Sequence, residues 1–193
     1  MDTWLVVGLG NPGSRYAGNR HNVGAHVLAE LAHRAGVKLS RHKGGANVAK
    51  TVLGGVPTLL TVPTSFMNVS GGPVRELANF YKIPHEHVVV VHDELDIDFG
   101  LVRLKQGGGE GGHNGLRSVS AHLGTRDYLR VRVGIGRPPG RMDPADYVLR
   151  DFAANERPEI AVSVVDAADA VEVLLRDGLA TAQQQFHSPA VGS

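Results

Sequence analysis

His87-Val88-Val89-Val90-Val91-His92-Asp93 is the stretch on which the fold turns. Four consecutive β-branched residues offer no polar face to water, so the run suits a strand inside a sheet that is covered on both sides. Asp93 stands at the carboxyl end of that strand. In open α/β sheets this is the end beyond which ligands bind.

Working outward, residues 3–7 (Thr-Trp-Leu-Val-Val) form a second short buried strand, stopped by Gly8. From Asn22 to Ala35, Val23, Val27, Leu28 and Leu31 recur at helical spacing, and Gly36 follows as a C-terminal cap. Residues 46–53 and 56–62 read as strands joined by Gly54-Gly55, a hairpin turn. A helix is predicted between Ser65 and Tyr81, with Gly71-Gly72-Pro73 marking its effective start. Beyond the valine run come a strand at 101–104, a glycine loop at 106–112, a helix from Asn114 to Leu123 closed by Gly124, and a strand at 129–135. Residues 153–175 carry the pattern of a long amphipathic helix, and the last dozen residues, rich in Gln, Ser and Pro, read as frayed. The order predicts an α/β fold: a single-domain three-layer sandwich with a mixed, mostly parallel twisted sheet and helices on both faces. It spans residues 1–180, with a frayed tail at 181–193.

With 193 residues and 42% hydrophobic content, the chain can bury one core. It has no cysteine, which excludes disulfides, a thiol nucleophile and cysteine-ligated metal centres. The first residues lack the basic start and apolar stretch of a signal peptide, and no run of 18 apolar residues occurs. A cytoplasmic protein with no membrane partner is expected. The net charge is only +1, but it is unevenly spread: residues 103–150 hold nine Arg or Lys against four Asp or Glu, and residues 151–193 two against seven. Either a basic surface meets phosphates, or the basic stretch is paired with the acidic helix.

Gly8-Leu9-Gly10-Asn11-Pro12-Gly13 satisfies the dinucleotide signature GxGxxG after a strand. That signature works by opening a helix toward the pyrophosphate. Here Asn-Pro-Gly makes a turn, helical spacing waits until about residue 22, and the acid at the expected distance, Glu30, falls inside the first helix. A nicotinamide-dependent enzyme is therefore the weaker reading.

Side chains able to do chemistry gather in four places: Asn11 with His21, Asn68, His92-Asp93-Glu94 with Asp96, and His113-Asn114. A histidine backed by a carboxylate is a general base, and asparagine amides can hold a carbonyl or its oxyanion. Taken alone, His21 is equally a core histidine, Asp93 could cap a turn, and Asp93, Glu94, Asp96 and Asp98 with nearby histidines could hold a metal. The glycines 107–109 and 111–112 could cradle a phosphate or form a flap.

The strings GLGNPGSRYAGNRHNVG (8–24), PTSFMNVSG (63–71), HDELDIDFG (92–100), RLKQGGGEGGHNGLRS (103–118) and RVRVGIGRP (130–138) together resemble the bacterial peptidyl-tRNA hydrolase family over nearly the whole chain. The resemblance implies a monomeric hydrolase that needs no cofactor or metal and cuts the ester joining a blocked aminoacyl or peptidyl group to tRNA. The resemblance also implies binding of the acceptor stem and CCA end. On matching positions, His21 is the base, Asp93 supports it and Asn11 selects a blocked amino terminus. Asn68 and Asn114 contact substrate, as do Tyr16, Phe66, Met67 and His113, and Lys105 and Arg132 meet tRNA phosphates. Arg103, Arg117, Arg130 and Arg137 extend that basic surface. Two positions depart from the family pattern: Asn19 replaces Thr, and Asp98 replaces Pro in a turn that should loosen around Gly100 to Lys105. A catalytically silent RNA-binding module is the competing class, and retention of His21, Asp93, Asn11, Asn68 and Asn114 together argues against it.

Overall fold

The computed structural model describes residues 2–187. Among these, seven strands, β1 (Trp4–Gly8), β2 (Ser40–His42), β3 (Ala46–Leu53), β4 (Val56–Pro63), β5 (Val88–Glu94), β6 (Val102–Gln106) and β7 (Leu129–Gly134), form one sheet in the order β2-β3-β4-β1-β5-β7-β6. The central strands β4, β1, β5 and β7 run parallel, and antiparallel partners flank them: β3 with β2 on one side, β6 on the other. Gly54 and Gly55, both at positive φ (56° and 80°), make the predicted hairpin turn between β3 and β4.

The valine run explains the layering. Val89 and Val91 face one core with α1 (Val23–Ala35) and α5 (Arg157–Asp177), whereas Val88 and Val90 face another with α2 (Gly71–Phe80) and α3 (Asn114–Leu123). All four are fully buried. Each side chain removed from water in this way contributes about 1.5–3 kcal/mol, which is why a strand without a polar face is stable only between two helical layers. The architecture is the predicted α/β sandwich.

Several local expectations are corrected. The long helix begins at Arg157 rather than Ala153, because Pro158 fits a first turn and no later one. β2 and a short helix, α4 (Pro144–Val148), carry too few residues to show a period in sequence. The tail is not frayed at 181–187. Residues Leu179–His187 form helix α6, which covers the open edge of β6: Gln183 Nε2 donates to the Leu104 carbonyl (3.1 Å), and His187 Nε2 accepts from the Leu104 amide (2.8 Å). The polar composition that reads as fraying instead supplies partners for an edge strand that would otherwise expose them. The remainder of the expected tail, 188–193, lies outside the described residues. No described helix is long and apolar enough to cross a membrane.

Candidate active site

β1, β4 and β5 run parallel and end on the same side of the sheet; the loops that leave β1 and β4 carry Asn11 and Phe66 to Asn68, and Asp93 stands at the end of β5 itself, next to its final residue Glu94. Close backbone packing sets the position of His21. A methyl group at Gly24 would overlap the Val91 carbonyl oxygen, and one at Gly8 would overlap the Gly24 carbonyl. Helix α1 therefore lies against the ends of β1 and β5, and the 3₁₀ turn Arg20–Asn22 that leads into it delivers His21 to Asp93. This is the structural use of the glycine signature. Helical geometry starts only at residue 20, and Glu30 lies on α1 in an ion pair with Arg34 (3.0 Å).

Asp93 is buried, and each of its oxygens takes one imidazole N–H: His21 Nδ1 donates to Oδ2 and His113 Nε2 to Oδ1, both at 2.8 Å. Burial alone would raise the carboxyl's pKa. The two imidazoles outweigh that and hold it well below the usual carboxylate range, so Asp93 is ionised. The tautomer of His113 is fixed by its second role. Its Nδ1 accepts from the Gly115 and Leu116 amides (3.1 and 3.3 Å), capping α3, so its proton must sit on Nε2. His21 gives its Nδ1 proton to the same carboxylate, which leaves Nε2 as the nitrogen able to accept a proton. Neighbouring His92 is of another kind: it is buried, its Nδ1 donates to the Asp93 carbonyl (2.7 Å), and burial pushes it down to about 3, which keeps it neutral.

Beside His21 opens a cleft of about 380 Å³ lined by Asn11, Tyr16, Phe66, Met67, Asn68 and Asn114, with Ala145, Val148 and Leu149 on its far wall. Tyr16 and Phe66 meet edge to face at 6.4 Å. A smaller cavity of about 120 Å³ joins His21 and Asp93 to His113, Asn114 and the glycine loop at Gly111-Gly112. The Asn11 carboxamide is held in one orientation, with its oxygen accepting from the Met67 amide (2.7 Å), so its NH₂ faces away from that bond as a donor. Asn22 fixes the backbone of Asn11 from both sides, accepting from its amide and donating to its carbonyl, each at 2.9 Å. Sequence reasoning missed Asn22, which reads only as the first residue of a helical segment and whose partner, Asn11, lies in the preceding loop. The Asn22 side chain makes no cap bond.

Arg20 was also missed. Its buried guanidinium stacks on Tyr147 (4.0 Å), pairs with Glu156 (2.8 Å) and donates to the carbonyls of Tyr147, Arg150 and Asp151. It thereby ties α4 and the segment before α5 to the turn that holds His21. Asn19, the family departure, joins this tie by donating to Asp151 Oδ1 (2.7 Å). The second departure does not loosen its turn: the Asp98 carbonyl accepts from Leu101 (3.1 Å), whose own carbonyl accepts from Gly134 (2.8 Å).

The basic surface is narrower than expected. Arg130 is fully buried and holds no phosphate; its guanidinium donates to the carbonyls of Gly108 (2.9 Å), Gly109 (2.6 Å) and Arg126 (3.1 Å), so it braces the glycine loop. The glycine loop covers this part of the β7 face, while Arg132, two residues on, stays partly exposed. Arg137 is paired with Asp96 and Arg103 donates to the Phe186 carbonyl, whereas Arg117 is exposed on α3. Lys105 and Arg132 stand on β6 and β7 at the far edge of the sheet and line neither cavity. Burial, then neighbouring arginines, lowers the pKa of Lys105. No ion pair among the described residues joins the 103–150 stretch to the acidic helix, whose Asp169 and Glu172 pair with Arg34.

The acidic run does not converge as a metal site: Glu94 accepts from the Asp96 amide, and Asp96 holds Arg137. His21, Asp93 and His113 do bring potential ligand atoms within 4.8 Å of one another. Their 2.8 Å separations are those of hydrogen bonds and are shorter than the roughly 3.3 Å between ligands held about 2.0–2.2 Å from a tetrahedral ion. The arrangement is an oriented imidazole with a free ring nitrogen, facing a cleft supplied with amide donors. Chemically it can activate water beside a polarised carbonyl.

Comparison with known proteins points to one family. The model of the peptidyl-tRNA hydrolase family matches residues 5–192. The chain is 63% identical over 185 residues to a peptidyl-tRNA hydrolase of Frankia alni, covering 96% of this chain and 94% of that one. It is 62% identical over 188 residues to one of Pseudarthrobacter chlorophenolicus, covering 96% of each. The crystal structure of peptidyl-tRNA hydrolase from Acinetobacter baumannii superposes with a TM-score of 0.90 at 36% identity, covering 96% of this chain and 95% of that one. The chain belongs to the peptidyl-tRNA hydrolase family.

Proposed function

We propose that this protein hydrolyses the ester between a peptide and the terminal ribose of its tRNA, working as a monomer in the cytoplasm, with His21 as the general base. The observation that carries the mechanism is the 2.8 Å bond from His21 Nδ1 to buried Asp93, which presents Nε2 to the cleft. Nε2 takes a proton from water as its oxygen attacks the ester carbonyl. The imidazolium so formed is stabilised by Asp93 and returns the proton to the departing ribose oxygen. Base catalysis of this kind contributes about 10²- to 10⁴-fold. An amide donor from Asn68 or Asn114 at the tetrahedral oxygen would add on the order of 3 kcal/mol. Asn11, with its NH₂ oriented by the Met67 amide and its backbone held by Asn22, suits the carbonyl of an N-blocked substrate. Tyr16, Phe66 and Met67 give the peptide an apolar wall, and His113 holds Asp93 and caps α3. Lys105 and Arg132 would meet acceptor-stem phosphates, which position the substrate without reading its sequence.

The test is hydrolysis of N-acetyl-aminoacyl-tRNA beside the unblocked form. The wild type is expected to cleave the blocked ester with strong preference, and His21→Ala to lose at least about 100-fold in turnover while still binding tRNA. An alanine variant of wild-type activity would remove His21 from the mechanism, and equal rates on both substrates would remove the blocked-terminus assignment.

A further inference from the structure

A second groove, of about 1,070 Å³, runs between α2 and the turn that follows β2, and no step above uses it. Its lining includes Arg41, Lys43, Arg75, His42, Phe80 and one acid, Glu76. We propose that this groove continues the peptide side of the cleft, receives the upstream residues of long peptidyl chains and favours acidic ones. The proposal rests on the reading of the cleft given above.

Three observations carry it. First, charge: Arg41, Lys43 and Arg75 are exposed, enter no ion pair among the described residues and stand together around this one groove. A set of unpaired cations around an open groove attracts carboxylates. Second, an apolar foothold: Phe80 is 68% exposed, fixed edge-on against His42 (5.5 Å) and Tyr81 (4.9 Å), with an open surface for a side chain to cover.

Third, continuity. Met67 and Asn68, which line the cleft, lead directly into α2, and Gly72 at its start opens the groove. The Gly45 carbonyl accepts from Thr64 (2.9 Å), fastening the basic turn to the segment that carries Phe66. At 1.5 Å per helical residue, Asn68 to Gly72 is about 6 Å and Gly72 to Phe80 about 12 Å. An extended chain at roughly 3.3 Å per residue crosses the first distance in about two residues and the second in about four. The groove also lies toward the β2 edge of the sheet, while Lys105 and Arg132 lie at the β6 edge. A substrate whose tRNA occupies the β6 side sends its peptide the other way, which favours peptide over RNA as the occupant.

The experiment uses one tRNA with three acyl groups: N-acetyl-aminoacyl, an N-acetylated decapeptide with acidic residues upstream, and the same decapeptide with lysines in those positions. The wild type is compared with the Arg41→Ala/Lys43→Ala/Arg75→Ala variant, whose thermal melt checks its fold. For the wild type, KM for the acidic decapeptide is expected to be about 3- to 10-fold below that for the basic one, as for a few exposed charge pairs, and to converge with it at high salt. The triple variant should lose this preference and leave the N-acetyl-aminoacyl substrate unchanged. Equal KM values for the two decapeptides in the wild type would overturn the proposal. So would a variant that raises KM equally for the short substrate, which would assign the groove to tRNA. Failure of the wild type to cleave even the short substrate would instead overturn the hydrolase reading beneath it.

Discussion

Asp93→Asn should switch off the base at His21 by moving a proton within its ring. In the native protein the carboxylate accepts one N–H from each imidazole. A carboxamide can accept on its oxygen only and must donate on the other side. His113 cannot adapt, because its Nδ1 is committed to the amides of Gly115 and Leu116 and its proton is therefore on Nε2. The new oxygen must face His113, and the new NH₂ must face His21. Nδ1 of His21 then becomes the acceptor, its proton moves to Nε2, and the atom that should take a proton from water already holds one. The opposite amide orientation would set NH₂ against N–H in a buried site, at a cost of about 1–3 kcal/mol for the unmade bond. The inactive tautomer is thus favoured roughly 5- to 150-fold. Loss of the carboxylate that stabilises the imidazolium adds to this, and the whole should approach the ~10⁴-fold fall in turnover seen when a triad carboxylate becomes an amide. Single-turnover hydrolysis of N-acetyl-aminoacyl-tRNA measures the loss, and nitrogen NMR of the His21 ring reports its tautomer. Activity within about tenfold of wild type, or a His21 ring still protonated on Nδ1 in the variant, would refute the argument.

Two further outcomes follow from buried cations and near-cations. His92 has its folded pKa pushed down to about 3, so below the ordinary imidazole range the unfolded chain binds a proton that the folded one does not, and stability falls with pH. Between pH 7 and 4.5 the wild type should lose about 2–3 kcal/mol more than His92→Gln in urea titrations, and parallel pH profiles would contradict this. The window stops above the range in which Asp93, with its depressed pKa, starts to lose its own contribution as its unfolded form protonates. Arg130→Met keeps the buried stem and removes the bonds to Gly108, Gly109 and Arg126; amide exchange in the 107–112 loop should rise and kcat/KM fall by about tenfold, since bonds to a charged group are worth about 1.5–3 kcal/mol each. Unchanged exchange in that loop would show that Arg130 does not brace it.

Much of this was legible in the sequence because particular residues allow few alternatives. The run Val88 to Val91 requires helices on both faces, and Gly54-Gly55 requires a tight hairpin. Asn11, Asn68 and Asp93 are neighbours because parallel β1, β4 and β5 end on one side of the sheet, whereas His113 and Asn114 follow antiparallel β6 and reach the site only across the glycine loop. What could not be read was the destination of single side chains. Arg130 and Arg132 are two apart on one strand, yet Arg130 is buried under the glycine loop while Arg132 is half-exposed on β7. Alternation places both on one face, as observed, but does not tell which part of that face the glycine loop covers. Arg20 and Asn22 flank His21, but their partners lie 127 and 11 residues away along the chain, in Tyr147 and Asn11. Helix α6 escaped because its polar residues bond the edge of β6, a contact with no periodicity to announce it.

The glycines at positions 8 and 24 give the enzyme a fixed gauge. Where α1 meets β1 and β5, backbone rests on backbone at Gly24, with the Leu28 side chain closing against Gly8. The distance from His21 to Asp93 is therefore set by two main chains at contact. Side-chain changes in the apolar layers leave this steric limit in place, because it is made at Gly8 and Gly24. Stability can thus drift across the family's cores, or be engineered there, without re-tuning the chemistry. Conversely, a single added methyl at position 24, harmless by composition, would pry the base from its carboxylate.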